Sequence, residues 1–384
     1  MQGVTVECLR DCSKLESVRQ MWEALGGQSP SQAASHEDYK NLLLSAGGHD
    51  EMYLLALREN GHIVTLAPFV LSHGKKTYDL GSRPLFSLPV RRLSLLNDSL
   101  VGRNDSRQMR LVFDALAECN DCDLVSFDEH GLDSPFMRSL KSALADTSWR
   151  CVNPFHKTSV HWLLDLPPTI DDYMSGLSGR TRQTLRRKLV KFDKQCGGQV
   201  RLVTHPGDVD WFLAAGEKIS RLTYQWKVGQ RLCFDEPTRR TYLANAKAGT
   251  LRCYMLMAGE EPIAFVRGNI RDGVYNYETP GYDPGYANVS PGTVLLLRVF
   301  EDLINHTECR VFDFGIGGDY VGYKKVLGNR SYECSFLEVG KRWSPYPMLL
   351  FGIQDVLNIA KRSANAILRQ GRVKRFLKKS LRGG

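Results

Sequence analysis

The chain has no long apolar run, and that lack excludes more than any motif it carries. No stretch approaches the roughly 20 apolar residues that a membrane-spanning helix needs. The opening MQGVTVECLRDC has no basic start followed by an apolar core, so no signal peptide is expected. The ten cysteines follow no disulfide framework, which points to reduced thiols in a cytoplasm. Cys119 and Cys122 have C-x-x-C spacing but no second pair and no neighbouring histidine, so no metal is expected. Acids are missing from residue 361 to 384, where nine Lys or Arg equal the whole formal excess of +9. The remainder is near neutral. With no zinc-finger spacing and no aromatic RNA-binding signature, no DNA partner is expected.

What is present is the composition of a soluble globular protein, 42% hydrophobic and 24% charged, in 384 residues, enough for two domains. The chain is organised around residues 274–328. An alternating aromatic run at 274–278 predicts a strand. A turn rich in glycine and proline follows at 280–286. Ser290-Pro291-Gly292-Thr293 then opens a helix over 294–304, because proline in a first helical turn gives up an N–H that had no partner there. A short apolar strand at 309–314 completes the unit. The N–H groups and dipole at such a helix start suit an anion such as a diphosphate.

Two passes of similar order precede and include this unit. The first predicts a strand at 4–9, helices at 13–25 and 38–44, and a hairpin of 52–57 and 63–71 around Asn60-Gly61. It continues with a strand at 93–96, a helix at 107–118, a strand at 123–128, a helix at 134–145 and a strand at 160–164. The second predicts helices at 170–176 and 180–195, a strand at 200–203, and helices at 209–226 and 238–248. A hairpin of 251–257 and 263–270, the unit already described and a strand at 332–339 follow. The expected class is α/β (α+β), a duplicated fold with halves at 1–165 and 166–343. Residues 344–384 form a long amphipathic helix and a basic tail, suited either to docking on the body or to an anionic membrane surface.

Several stretches of the second half together resemble one family. They are SGRTRQTLRRKLVKF at 178–192, Trp226 ahead of Phe234, the hairpin at 251–270, and Gly281-Tyr282-Asp283-Pro284. Ser290-Pro291-Gly292-Thr293 and Asp313-Phe314 followed by Tyr323-Lys324-Lys325 complete the set. In the first half LLALRENGHIVTLAPFVL adds to it. The chain is similar to the cellulose-biosynthesis acetyltransferases of the CelD/BcsL type in the GNAT superfamily. The resemblance implies a tandem pair of GNAT-like halves, as in Fem transferases. One half would take an acyl group from acyl-coenzyme A, acetyl-coenzyme A first. The acceptor would be an amine or hydroxyl of a sugar, nucleotide-sugar or lipid-linked glycan, in the cytoplasm or at the inner face of the membrane.

Under that resemblance the strand at 274–278 supplies N–H donors for the carbonyl oxygen, and Ser290, Gly292 and Thr293 receive the diphosphate. Glu278 and Asp313 are the candidate bases, Asp313 for lying between Phe312 and Phe314, where apolar neighbours raise a carboxyl pKa. Either acid also suits a turn cap or a basic partner, evenly so for Glu278, while for Asp313 the glycine-rich Gly315–Gly318 that follows favours the site by letting a substrate approach the backbone. Tyr323 would protonate the leaving thiolate, and Lys324 would hold a phosphate or carboxylate. Arg186, on a basic helix at 180–194, suits an anionic substrate or a solvated face, and Trp226 suits a sugar ring or the core. Residues 288–293 offer one glycine and no charge, where a GNAT diphosphate loop is rich in both. That composition favours a Fem-like, aminoacyl-tRNA-dependent transferase as the alternative. A non-catalytic GNAT-like partner of an envelope-polysaccharide synthase is a third reading.

Overall fold

The computed structural model describes residues 4–26, 35–45, 50–80, 83–145, 147–154, 158–227, 231–317 and 322–369. Gly318 and the basic tail from 370 onward lie outside these. The chain forms two compact units, Met1–Thr158 with Cys334–Gly384, and Ser159–Glu333.

The first unit begins with β1 (Val4–Leu9), α1 (Arg19–Gly26), α2 (His36–Ser45), β2 (Asp50–Glu59) and β3 (His62–Leu80). The stretch expected to be one helix over 13–25 is two short 3-10 turns leading into α1, yet Leu15, Val18 and Trp22 still form the buried stripe. The β2–β3 turn has positive φ at both Asn60 (54°) and Gly61 (81°), the twist that an Asn-Gly hairpin selects. The strand expected at 93–96 is the end of a much longer β4 (Arg83–Leu95), which pairs with β3 from Phe69↔Leu95 out to Leu80↔Arg83. This ribbon was illegible because SHGKKTYDL has too little apolar alternation to read as a strand. The short β5 (Val101–Gly102) follows. Next come α3 (Ser106–Cys119), capped by Asp105, and β6 (Leu124–Gly131). Then follow α4 (Pro135–Leu144), capped by Ser134, and β7 (Trp149–Val152).

The second unit runs β8 (Ser159–Asp165), α5 (Ile170–Gly176), α6 (Gly179–Cys196), β9 (Val200–Val203), α7 (Val209–Leu222) and α8 (Tyr224–Lys227). It continues α9 (Glu236–Lys247), β10 (Cys253–Ala258), β11 (Glu261–Arg271), β12 (Val274–Tyr282), α10 (Pro291–His306), β13 (Val311–Gly317) and α11 (Gly322–Leu327). The helix expected over 209–226 breaks at Thr223, which is extended and turns its hydroxyl onto Ser220 O. The turn expected at 280–286 begins later, because β12 continues through Pro280 to Tyr282 along β11. The strand order is β8-β13-β12-β11-β10-β9, antiparallel throughout except for β12 with β13. On one face α5, α6 and α10 bury Tyr173, Leu185, Phe192 and Phe300 against Tyr275, Phe312 and Phe314. On the other, α7 and α9 bury Phe212 and Tyr242 against Met255 and Phe265.

The chain then returns to the first unit through β14 (Arg330–Lys341) and α12 (Pro345–Arg369). That unit's strand order is β1-β2-β3-β4-β6-β14, with β5 beside β3 and β7 beside β14. The units divide at 158 and 333, whereas sequence spacing suggested 165 and 343. Pairing explains the offset: β8 is a partner of β13, while β14 from Cys334 onward pairs with β6 and β7.

Both units contain the same device. Each has one parallel pair joined by a strand–helix–strand crossover. In the first, β4 and β6 share three registered pairs ending at Ser94↔Ser126. In the second, β12 and β13 share three ending at Asn276↔Asp313.

Candidate active site

The β12–β13 pair is a fork. Their ladder stops at Asn276↔Asp313, and beyond it β12 follows β11 to Tyr282 while β13 follows β8 to Gly317. A bulge marks each strand where they part. On β12, Glu278 and Thr279 stand opposite the single residue Arg267 of β11. On β13, Phe314 is the extra residue, and Gly315 follows at φ 67°, a backbone setting that suits glycine. Bulges increase local twist, so two of them side by side spread the strands and turn backbone groups toward the gap.

Asp313 sits at the fork. Strand alternation puts Phe312 and Phe314 on the α10 face, within the core, and Asp313 on the other. Its sequence neighbours therefore do not surround its carboxylate, contrary to the expectation from sequence. The Oδ1 atom accepts two hydrogen bonds, from His161 Nε2 at 2.6 Å and from Gly315 N–H at 2.6 Å. A carboxylate can only accept, so His161 carries its proton on Nε2. Among the described residues Oδ2 has no hydrogen-bond partner, and the side chain is 24% exposed. His161 is buried on β8 and stacks on Tyr332 with ring centroids 4.8 Å apart. His161 was missed in the sequence, where it lies 152 residues from Asp313 with no motif around it.

Glu278 is on the same side of the sheet but is occupied. Arg267 reaches its Oε2 at 2.6 Å, and Asn269 donates to Oε1 at 3.1 Å. Tyr323 is placed elsewhere. Its hydroxyl lies 3.2 Å from that of Tyr277, and its ring meets Phe314 in the aromatic cluster on the α10 face. Lys324 is buried, and its ammonium donates to Phe314 O and Ile316 O, fixing the end of β13 from within. Those bonds serve the backbone, not an anion. Trp226 has Arg221 and Arg231 over its ring, 4.9 and 5.2 Å from the centroid, so both guanidinium groups already use its π surface. Arg186 lines a small cavity of about 190 Å3 with Asp171, Met174 and Glu301.

The start of α10 differs from an ordinary capped helix. Ser290 is left-handed (φ 55°) and its side chain caps nothing. Its carbonyl accepts from Thr293 and Val294, and Pro291 has no N–H, so Gly292 supplies the donor of the first turn. Two cations from α6 reach this point. Lys188 Nζ donates to Thr293 Oγ1 at 3.2 Å, and Lys191 Nζ donates to Asn288 O at 2.7 Å. Burial holds the Lys188 ammonium below the ordinary lysine value. A cation at the positive end of a helix dipole is placed against the field, an arrangement that favours binding an anion between them. The lysines come from the basic helix singled out by sequence, but from positions 188 and 191, and they supply the charge that residues 288–293 lack.

The cysteines behave as separate thiols. Burial pushes Cys122 and Cys253 up to about 12, while Cys12 and Cys119 are exposed. Alkylation of the native protein near pH 8, read by peptide mass, should modify Cys12 and Cys119 well before Cys122 and Cys253. Equal labelling of all four would mean that these cores open readily.

Residues 179–325 match the family described as an acetyltransferase (GNAT) domain. No curated protein matches the chain. Among solved structures, FemX is similar with a TM-score of 0.60 at 10% identity, covering 90% of this chain and 100% of that one. A tandem GNAT protein from the clavulanic acid biosynthesis pathway gives 0.53 at 12%, covering 89% and 99%. The C-terminal domain of a putative lysylphosphatidylglycerol synthetase from Agrobacterium fabrum gives 0.51 at 14%, covering 89% and 96%. At these identities the likeness is one of fold: mixed α/β, of the tandem GNAT type.

Proposed function

We propose, from the GNAT-type acetyltransferase domain over residues 179–325, that the chain transfers an acyl group from acyl-coenzyme A to an amine or hydroxyl, and that the second unit carries the reaction. The observation that carries the reading is the β12–β13 fork with Asp313 at its root, one carboxylate oxygen held by two donors and the other without a partner among the described residues. The thioester lies in the fork, its carbonyl oxygen toward N–H groups of the β12 bulge. Its diphosphate takes Gly292 N–H, Thr293 and Lys188. The acceptor attacks the thioester carbon, the new C–N or C–O bond forms and the C–S bond breaks. Asp313 Oδ2 takes the acceptor's proton, and the departing coenzyme A thiolate takes a proton from solvent, since the Tyr323 hydroxyl lies against that of Tyr277 on the α10 face. His161 holds Oδ1 and so aims Oδ2. At the matching register the first unit has Ser94 and Ser126, neither of them an acid.

A sugar or polysaccharide precursor is the proposed acceptor, on the sequence resemblance to cellulose-biosynthesis acetyltransferases. Acetyl-coenzyme A at about 100 times its dissociation constant should stabilise the protein by roughly 2.7 kcal/mol, read as a rise in melting temperature. Lys188→Met should weaken that binding about tenfold, the loss of one hydrogen bond to a charged group. Unchanged affinity would remove the diphosphate from the α10 start. One observation favours an aminoacyl-tRNA donor instead: the first turn of α10 offers the single N–H of Gly292, a thin seat for a diphosphate. No shift with any acyl-coenzyme A, together with activity destroyed by ribonuclease, would select that donor.

A further inference from the structure

In the first unit, α12 has two apolar faces, and among the described residues only one of them is packed. Leu350 and Phe351 are buried with Tyr78, whose hydroxyl donates to Leu350 O at 3.0 Å. The opposite face carries Leu349, Val356 and Ile359, which are 51%, 65% and 63% exposed. Their spacing of seven and three residues aligns them on one side of a helix, and exposed Gly352 and Ala360 fill the positions between. That side has no charge over three turns. Trp343, at the turn into α12, is 82% exposed. An uncharged stripe of this length on a surface helix marks a docking face.

We infer that this face of α12 lies on an anionic lipid surface, an inference independent of the acyl-transfer reading. Three observations favour lipid. The stripe is on a single convex helix, so it offers no groove that a folded partner would fill. An exposed tryptophan at its start suits the headgroup level of a bilayer. The sequence from residue 361 adds nine cations and no acid, the complement of a negatively charged leaflet. Among the described residues no helix is long and apolar enough to cross a membrane, so the contact lies in the interface plane.

Vesicle co-sedimentation of the full chain tests this. Vesicles of phosphatidylcholine with about a third phosphatidylglycerol should bind the protein, pure phosphatidylcholine should not, and added salt should release it. Trp343 emission should shift to the blue on binding, and Trp343→Phe should abolish that shift. The double variant Val356→Asp with Ile359→Asp should partition about tenfold less with an unchanged melting temperature, because both side chains are exposed. No binding of the unaltered chain to anionic vesicles overturns the inference. So does a double variant that binds as well as the original, since the basic tail alone would then suffice. A concentration-dependent dimer abolished by the same double variant would instead make the occupant a second copy.

Discussion

Asp313→Asn should lower turnover by about 100- to 10,000-fold, the range for a lost general base, and leave the melting temperature within a few degrees. The substitution keeps the shape of the side chain and one acceptor oxygen. Gly315 N–H and His161 Nε2 can still donate to that oxygen, so the β13 bulge is kept. What is lost is the charge and the second basic oxygen. A large fall in melting temperature alongside the activity would make Asp313 a structural residue, and unchanged turnover would remove it from the site. His161→Gln separates aim from chemistry. It should reduce turnover less than Asp313→Asn, because the carboxylate keeps its charge and Oδ2 while only the group that holds Oδ1 has changed.

The second large effect lies in the first unit. Lys76 Nζ donates to both carboxylate oxygens of Glu338, at 2.7 and 2.5 Å, and the two side chains are only 7% and 9% exposed. Arg92 approaches the same carboxylate at 3.6 Å. Such a pair adds little over a well-packed apolar pair, but removing one partner strands a buried charge. Glu338→Ala should therefore destabilise by about 3–5 kcal/mol. For a unit of this size that is a fall of very roughly 6–20 °C in melting temperature. The double change Lys76→Met with Glu338→Leu should restore most of it, since neither charge is then left behind. A single substitution costing under about 1 kcal/mol would mean that water reaches Lys76 as it does a surface pair.

These two predictions mark how differently the parts of the molecule could be read. The β2–β3 hairpin was legible because Asn60-Gly61 is a local instruction, and α10 because Pro291 and its apolar positions are. Asp313 was reached through family resemblance and its place in a short apolar strand ahead of a glycine-rich stretch. The argument for it from apolar neighbours fails, because adjacent residues on a strand face opposite ways. The far half of the β3–β4 ribbon carried too few apolar residues to signal a strand. Arg267 on Glu278 and the backbone bonds of Lys324 follow from bulges and register, which a list of residue types does not contain.

By itself the sequence determined most of the element types, the doubling of the fold and the strand–helix–strand unit, because propensity, capping and periodicity act over a few residues at a time. Tertiary structure alone decided that His161 meets Asp313 across 152 positions and Lys76 meets Glu338 across 262. It also decided that Lys188 and Lys191, not residues 288–293, bring charge to the start of α10. Partners so far apart leave no periodic trace, since what joins them is strand pairing and helix packing set by the whole chain.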